Sequence, residues 1–120
     1  MRYRRGELSP EGYYRDGHDH EAIRAAAARA ESDVVVVDGV FLRRPELDGS
    51  WDLRIVLEVD EEVALERALE RDAERFGGRE NTRARYLARY IPARELYQRE
   101  AAPADLVVEN TDPARPRLVR

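Results

Sequence analysis

The chain has 120 residues, a net charge of −4, 38% charged and 42% hydrophobic residues, and no cysteine. That balance fits a globular domain with a real core, excludes disulfides and cysteine-ligated zinc, and argues against a dedicated nucleic-acid binder, which carries a basic excess. All 21 basic residues are arginine, so these residues hold neither a Schiff-base lysine nor the lysine of a G-x-x-x-x-G-K-[ST] phosphate loop.

No apolar run approaches the roughly 18 residues of a membrane span, and Met1 leads directly into "RYRRG" without the pattern of a signal peptide. Residues 1–120 read as a single domain, with the cytoplasm as the default compartment. In chain order, Ser9 before Pro10 is an N-cap followed by proline at the first helical position, which predicts a short helical turn. The alanine-rich 19–31 segment predicts a helix. The continuous run Val34 to Val37 predicts a strand buried on both faces, as in a parallel sheet. "FLRRPELDG" reads as a loop or short helix broken by Pro45 and Gly49.

"WDLRIVLEVD" predicts a second strand, and Asp60 caps a helix over 61–76 that Gly77 and Gly78 end. A further helical stretch covers 81–101, kinked near Pro92. "ADLVVEN" predicts a third strand, and the proline-punctuated tail is expected on the surface.

Three groups of residues carry possible chemistry. Asp38-Gly39 follows the valine run. At the carboxyl end of a strand in an open α/β sheet, an acid can hold magnesium beside phosphates, or simply open a turn. Arg67, Arg71 and Arg75 recur every four residues along one helix face, and Arg79, Arg83, Arg85 and Arg89 follow the glycine pair. Their guanidinium forks suit phosphate oxygens, or they pair with Glu66, Glu70 and Glu74 on the neighbouring stripe. "YYRDGHDHE" gathers Tyr13, Tyr14, Asp16, His18, Asp19 and His20, which suits a sugar or base pocket, a metal site, or a capped helix start. Ser9, Ser32 and Ser50 sit in no nucleophile elbow, so no hydrolytic triad can be assembled.

Taken together, "SPEGYYRDGHD", "VVVVDGVFLRRPEL", "WDLRIVLEVDEEVALERALERD" and "RYIPARELYQREAAPADLVVENTDP" resemble the uridine kinase branch of the P-loop kinases, from about Ser9 to Pro116. The resemblance implies an α/β fold: an incomplete P-loop-kinase-like three-layer domain with a small, mostly parallel sheet of three strands, 33–38, 52–59 and 104–109, flanked by helices. It implies an ATP-dependent phosphotransferase that moves the γ-phosphate of ATP to a nucleoside 5′-hydroxyl, with ATP and Mg2+ as cofactors. On that pattern Asp38 is the Walker-B-like acid that holds magnesium through water. Arg71, Arg75 and Arg79 belong to a lid that closes over the phosphates. Tyr13, Tyr14 and Asp16 help form the nucleoside pocket, and Asn110, Asp112 and Pro113 pass near the adenine.

The chain also departs from the family pattern. The phosphate-binding strand and loop, and the strand carrying the general base, would lie upstream of Met1, and a base-recognising hairpin stretch before the valine run is missing. Phosphoryl transfer rests on positioning and charge stabilisation, so the isolated chain is expected to be inactive. The alternative is a non-catalytic nucleotide-binding or protein-interaction remnant. Its expected partners are a nucleotide, a small nucleoside, and a second copy or a strand-completing chain, without membrane or nucleic acid.

Overall fold

The computed structural model describes residues 9–16 and 19–120. Helix α1 (Pro10–Asp16) starts as expected: the Gly12 amide donates to Ser9 Oγ at 3.0 Å, and Pro10 needs no partner in the first turn. Helix α2 (His20–Arg29) is capped by Asp19, whose carboxylate accepts from the Ala22 amide at 2.9 Å. None of its residues is buried. A short α3 (Pro45–Asp48) again begins at proline.

Strand β1 (Ile55–Glu58) leads into α4 (Glu61–Asp72), where Asp60 accepts from the amides of Glu62 and Val63. This helix ends at Asp72, earlier than its apolar stripe suggested. The chain then turns through Gly77 and Gly78, whose φ values of 79° and 116° favour glycine. Helix α5 (Arg79–Arg85) passes into one π-helical turn over Tyr86–Tyr90, and α6 (Ile91–Glu100) follows.

The interruption expected near Pro92 takes the form of the π turn. Proline has no amide proton for the carbonyl four residues back, and the Ile91 amide reaches Tyr86 O instead, one residue further than an α-helix allows.

Strand β2 (Leu106–Glu109) pairs parallel with β1 in the register Ile55 to Leu106, and β3 (Arg117–Leu118) pairs antiparallel with β2, giving the order β1-β2-β3. The architecture is therefore mixed α/β with a small mixed sheet. The expected strand at 33–38 is not formed. Val34 and Val36 are 77% and 86% exposed in irregular chain. Valine's strand preference is largely a measure of packing and burial. Here the run pairs with no strand, and the preceding α2 buries nothing that could hold it to the sheet. The third strand comes instead from the tail, where the Val119 amide donates to Val107 O at 2.8 Å.

The helices pack mainly on one another, α1 on α6 and the π turn, and α4 on α5. Tyr13, Tyr14, Phe41 and Ala93 form the main buried cluster, with Tyr90, Leu96 and Tyr97 around it. Phe41 adopts φ of 59°, an uncommon conformation for a bulky residue, and its ring lies 5.6 Å from Tyr13, 5.3 Å from Tyr14 and 5.2 Å from Tyr97. Edge-on and tilted aromatic contacts of this kind add about 0.5–1.5 kcal/mol each beyond area burial, which offsets the local strain.

Two substitutions separate the observed core from the expected one. Leu69→Ala removes a fully buried side chain, and urea unfolding should show a loss of about 2–5 kcal/mol. Val36→Ser should change stability by less than about 0.5 kcal/mol. A loss above 1 kcal/mol at Val36 would place the valine run in a packed strand after all.

Candidate functional site

The arginine-bearing arm runs from the end of α4 through the glycine pair to the π turn. Its centre is Asp72, 9% exposed. The Arg71 guanidinium donates to its carboxylate through Nε and Nη2, both at 3.0 Å, and the Tyr86 hydroxyl donates at 2.8 Å. The Arg71 fork, and then the Tyr86 hydroxyl, hold the Asp72 carboxyl below its usual range against the cost of burial. Burial pushes the Tyr86 phenol up, and its bond to Asp72 pushes in the same direction. Thr82, fully buried beside them, donates to Gly78 O at 2.8 Å and fastens α5 to the turn.

The three arginines expected to form a lid, Arg71, Arg75 and Arg79, meet different partners. Arg71 is committed to Asp72 and Tyr86, although its side chain stays 71% exposed. Arg79 pairs with Glu66 across the glycine turn. Arg75 lies 5.3 Å from the Phe76 ring centroid, and Arg85 lies 4.4 Å from the same ring.

The loop after β2 is brought to the start of α4. The Asn110 amide donates to Glu58 O at 2.7 Å, and the Asp60 amide donates to Thr111 Oγ1 at 3.0 Å. The Arg67 guanidinium donates to Thr111 O. Asp112 caps the next turn by accepting from the Ala114 amide at 3.0 Å, and Pro113 lies inside that turn. Asn110, Asp112 and Pro113 thus sit beyond the carboxyl ends of the two parallel strands, where open α/β sheets bind ligands.

Other expected site residues are not brought to this place. Asp38 is exposed in the irregular segment after the valines, so no strand end delivers it toward the arm. Tyr13 and Tyr14 are buried, and their ring faces are used by the aromatic cluster. The Tyr14 hydroxyl donates to Glu100 at 2.8 Å, and burial followed by that bond pushes its pKa up to about 12. His18 and the Asp16 side chain lie outside the described residues. Among the described residues no group of three or more His, Asp or Glu is placed to hold a metal ion, and no helix is long and apolar enough to cross a membrane.

Sequence reasoning missed Arg44, which is 1% exposed. Its guanidinium lies 4.4 Å from the Tyr14 ring centroid, donates to Tyr14 O at 2.7 Å and meets Glu46 at 3.1 Å. The signal was faint, since "RRP" before a short helix reads as surface. A cleft of about 900 Å³ opens between the valine segment and the outer edge of β1, lined by Arg24, Val34, Leu42, Trp51 and Ile55 among others, and none of the expected site residues lines it.

His20 has a ring nitrogen, Nε2, that is buried without a hydrogen bond. Burial, then the positive charge of Arg44, lower its pKa from the ordinary 6.5, with Arg24 adding in the same sense and Glu46 and Asp19 opposing. The unfolded chain therefore takes up the proton first. The stabilising effect is complete above about pH 6.5 and is lost as pH falls from there toward the folded value. Urea midpoints should fall between pH 7 and 5 for the native chain and fall less for His20→Gln. Parallel profiles would remove His20 as the cause. Separately, Tyr86→Phe should cost about 1 kcal/mol by leaving Asp72 short of a donor, with the unfolding slope unchanged.

Comparison of the chain with models of known families, with curated proteins and with solved structures found no match.

Proposed function

We propose that this chain is a uridine-kinase-like domain that handles the phosphates of ATP through its arginine arm and does not complete phosphotransfer on its own. One observation carries the reading. Two parallel strands are joined through α4, α5 and α6, and the segment between them bears the arginines. This crossover supports reading the sheet as the second half of a P-loop-kinase-like domain, and the loop bearing Asn110, Asp112 and Pro113 lies beyond the carboxyl ends of its parallel strands, the place where open α/β sheets bind ligands. Guanidinium forks suit the charge of a phosphate chain. Against turnover stand the lack of any lysine and the exposed position of Asp38, the residue assigned to magnesium.

The test is a paired measurement on the purified chain. Calorimetry should show Mg·ATP binding, and a phosphotransfer assay with uridine and cytidine should show no product. Turnover near the 1–100 s⁻¹ typical of kinases would overturn the inactivity. Failure to bind ATP at millimolar concentration would overturn the reading itself.

A second reading, a non-catalytic interaction module, is favoured by the sheet edge. Ile55 and Leu57 are 54% and 61% exposed on the strand that ends the sheet. Open apolar edges pair with other strands. Light scattering over a concentration series separates the two readings, because a monomer throughout leaves this one without support.

A further inference from the structure

We infer that the anion subsite of the arm is formed by Arg75 and Arg85, oriented by Phe76 and specific for a phosphate chain, and that Arg71 and Arg79 are structural cations. The inference rests on the phosphate-handling reading above and deepens it, since it divides the arginines by what each is already holding.

Arg71 spends two donors on Asp72 and a further contact on Tyr86, so the charge it carries is answered within the fold. Arg79 is answered by Glu66. Arg75 and Arg85 differ. Both are exposed, and neither forms an ion pair with a carboxylate among the described residues. Asp72 is close enough to feel the charge of Arg75, but its oxygens are taken by Arg71 and Tyr86.

Both guanidinium groups lie near one half-buried ring, at 5.3 and 4.4 Å from its centroid. The two charges are therefore within about 10 Å of each other, about one Debye length at 0.1 M salt. Two cations held this way repel, and a multivalent anion bridging them removes that repulsion. Contact with the Phe76 ring limits the motion of each fork, and a planar guanidinium over an aromatic ring keeps its N–H donors available for hydrogen bonds in its own plane.

The wider charge pattern agrees. From Arg71 to Arg89 six arginines meet three acids, Asp72, Glu74 and Glu80, in a chain whose net charge is −4. Arg85 comes from α5 and Arg75 from the turn after α4, so the site exists only while the arm is folded as observed.

Inorganic tripolyphosphate is the probe, titrated calorimetrically into the intact chain at low salt. Arg75→Gln and Arg85→Gln should each weaken binding about tenfold, equivalent to about 1.4 kcal/mol. Arg79→Gln, and Arg83→Gln on the same helix without a Phe76 contact, should change it less than twofold. Phe76→Leu keeps every charge and should still weaken binding several-fold, and Arg85→Lys should not restore it.

An unchanged affinity in Arg85→Gln would overturn the assignment, and so would a loss at Arg79 equal to that at Arg85. Binding of single-stranded RNA through Arg75 and Arg85 without tripolyphosphate binding would also overturn it. Circular dichroism and Tm confirm that each variant is folded. The kinase-like reading fails differently: tripolyphosphate binds through Arg75 and Arg85, but ATP neither binds nor competes for the site.

Discussion

The buried carboxylate of Asp72 is the constraint on which the arm depends. A charged group this deep is tolerated only when its oxygens are answered, and here three donor contacts answer them. Arg71 comes from the same helix, but Tyr86 comes from the far side of the glycine turn. The carboxylate therefore fixes how α5 and the π turn return against α4. The geometry around Phe76 follows from that return, because Arg85 can stack on the ring only if α5 is brought back beside the end of α4.

The same logic separates the uses of arginine in a chain that has no lysine. A guanidinium beside a buried acid, as at Arg71, works as a structural cation. Arg44 works similarly in the aromatic cluster, where its fork joins the Tyr14 carbonyl, the Tyr14 ring and Glu46. An ammonium could not combine the stacked and the hydrogen-bonded roles in that space. Charges left outside such networks, Arg75 and Arg85 among them, are the ones free to meet an external anion.

Much of the fold was legible in local signals. The caps at Ser9, Asp19 and Asp60 were readable because a side chain that bonds an amide two or three residues ahead needs nothing distant. The glycine pair was readable for a similar reason, because the positive φ values at Gly77 and Gly78 are a local preference of glycine. The valine run was not, because a strand exists only through its ladder partner, and that partner cannot be seen in the run. The two-residue strand at Arg117 was missed for the converse reason. It owes its conformation to pairing with Val108 and Glu109 of β2, not to its own residues.

The candidate site was legible as a stripe and not as a site. Spacing of four put Arg67, Arg71 and Arg75 on one face, but it could not say that Asp72 would take Arg71, that Glu66 would reach Arg79 across the turn, or that Tyr13 and Tyr14 would be consumed by the core. Residue type carries chemistry, while the environment decides whether that chemistry is spent internally. Asp38 shows the other side of this. It has the carboxylate that the resemblance asks for, but a magnesium ligand must also be aimed. With the valines unpaired, the backbone that would aim Asp38 is not ordered into the sheet, whereas Asn110 and Asp112 hold their places because β2 and the cap of α4 bind the loop on both sides. The end of the molecule that the resemblance assigns to the site is thus half built: its arginine arm and strand-end loop are tied in place by hydrogen bonds, and its acidic corner has only the chain's own connectivity to position it.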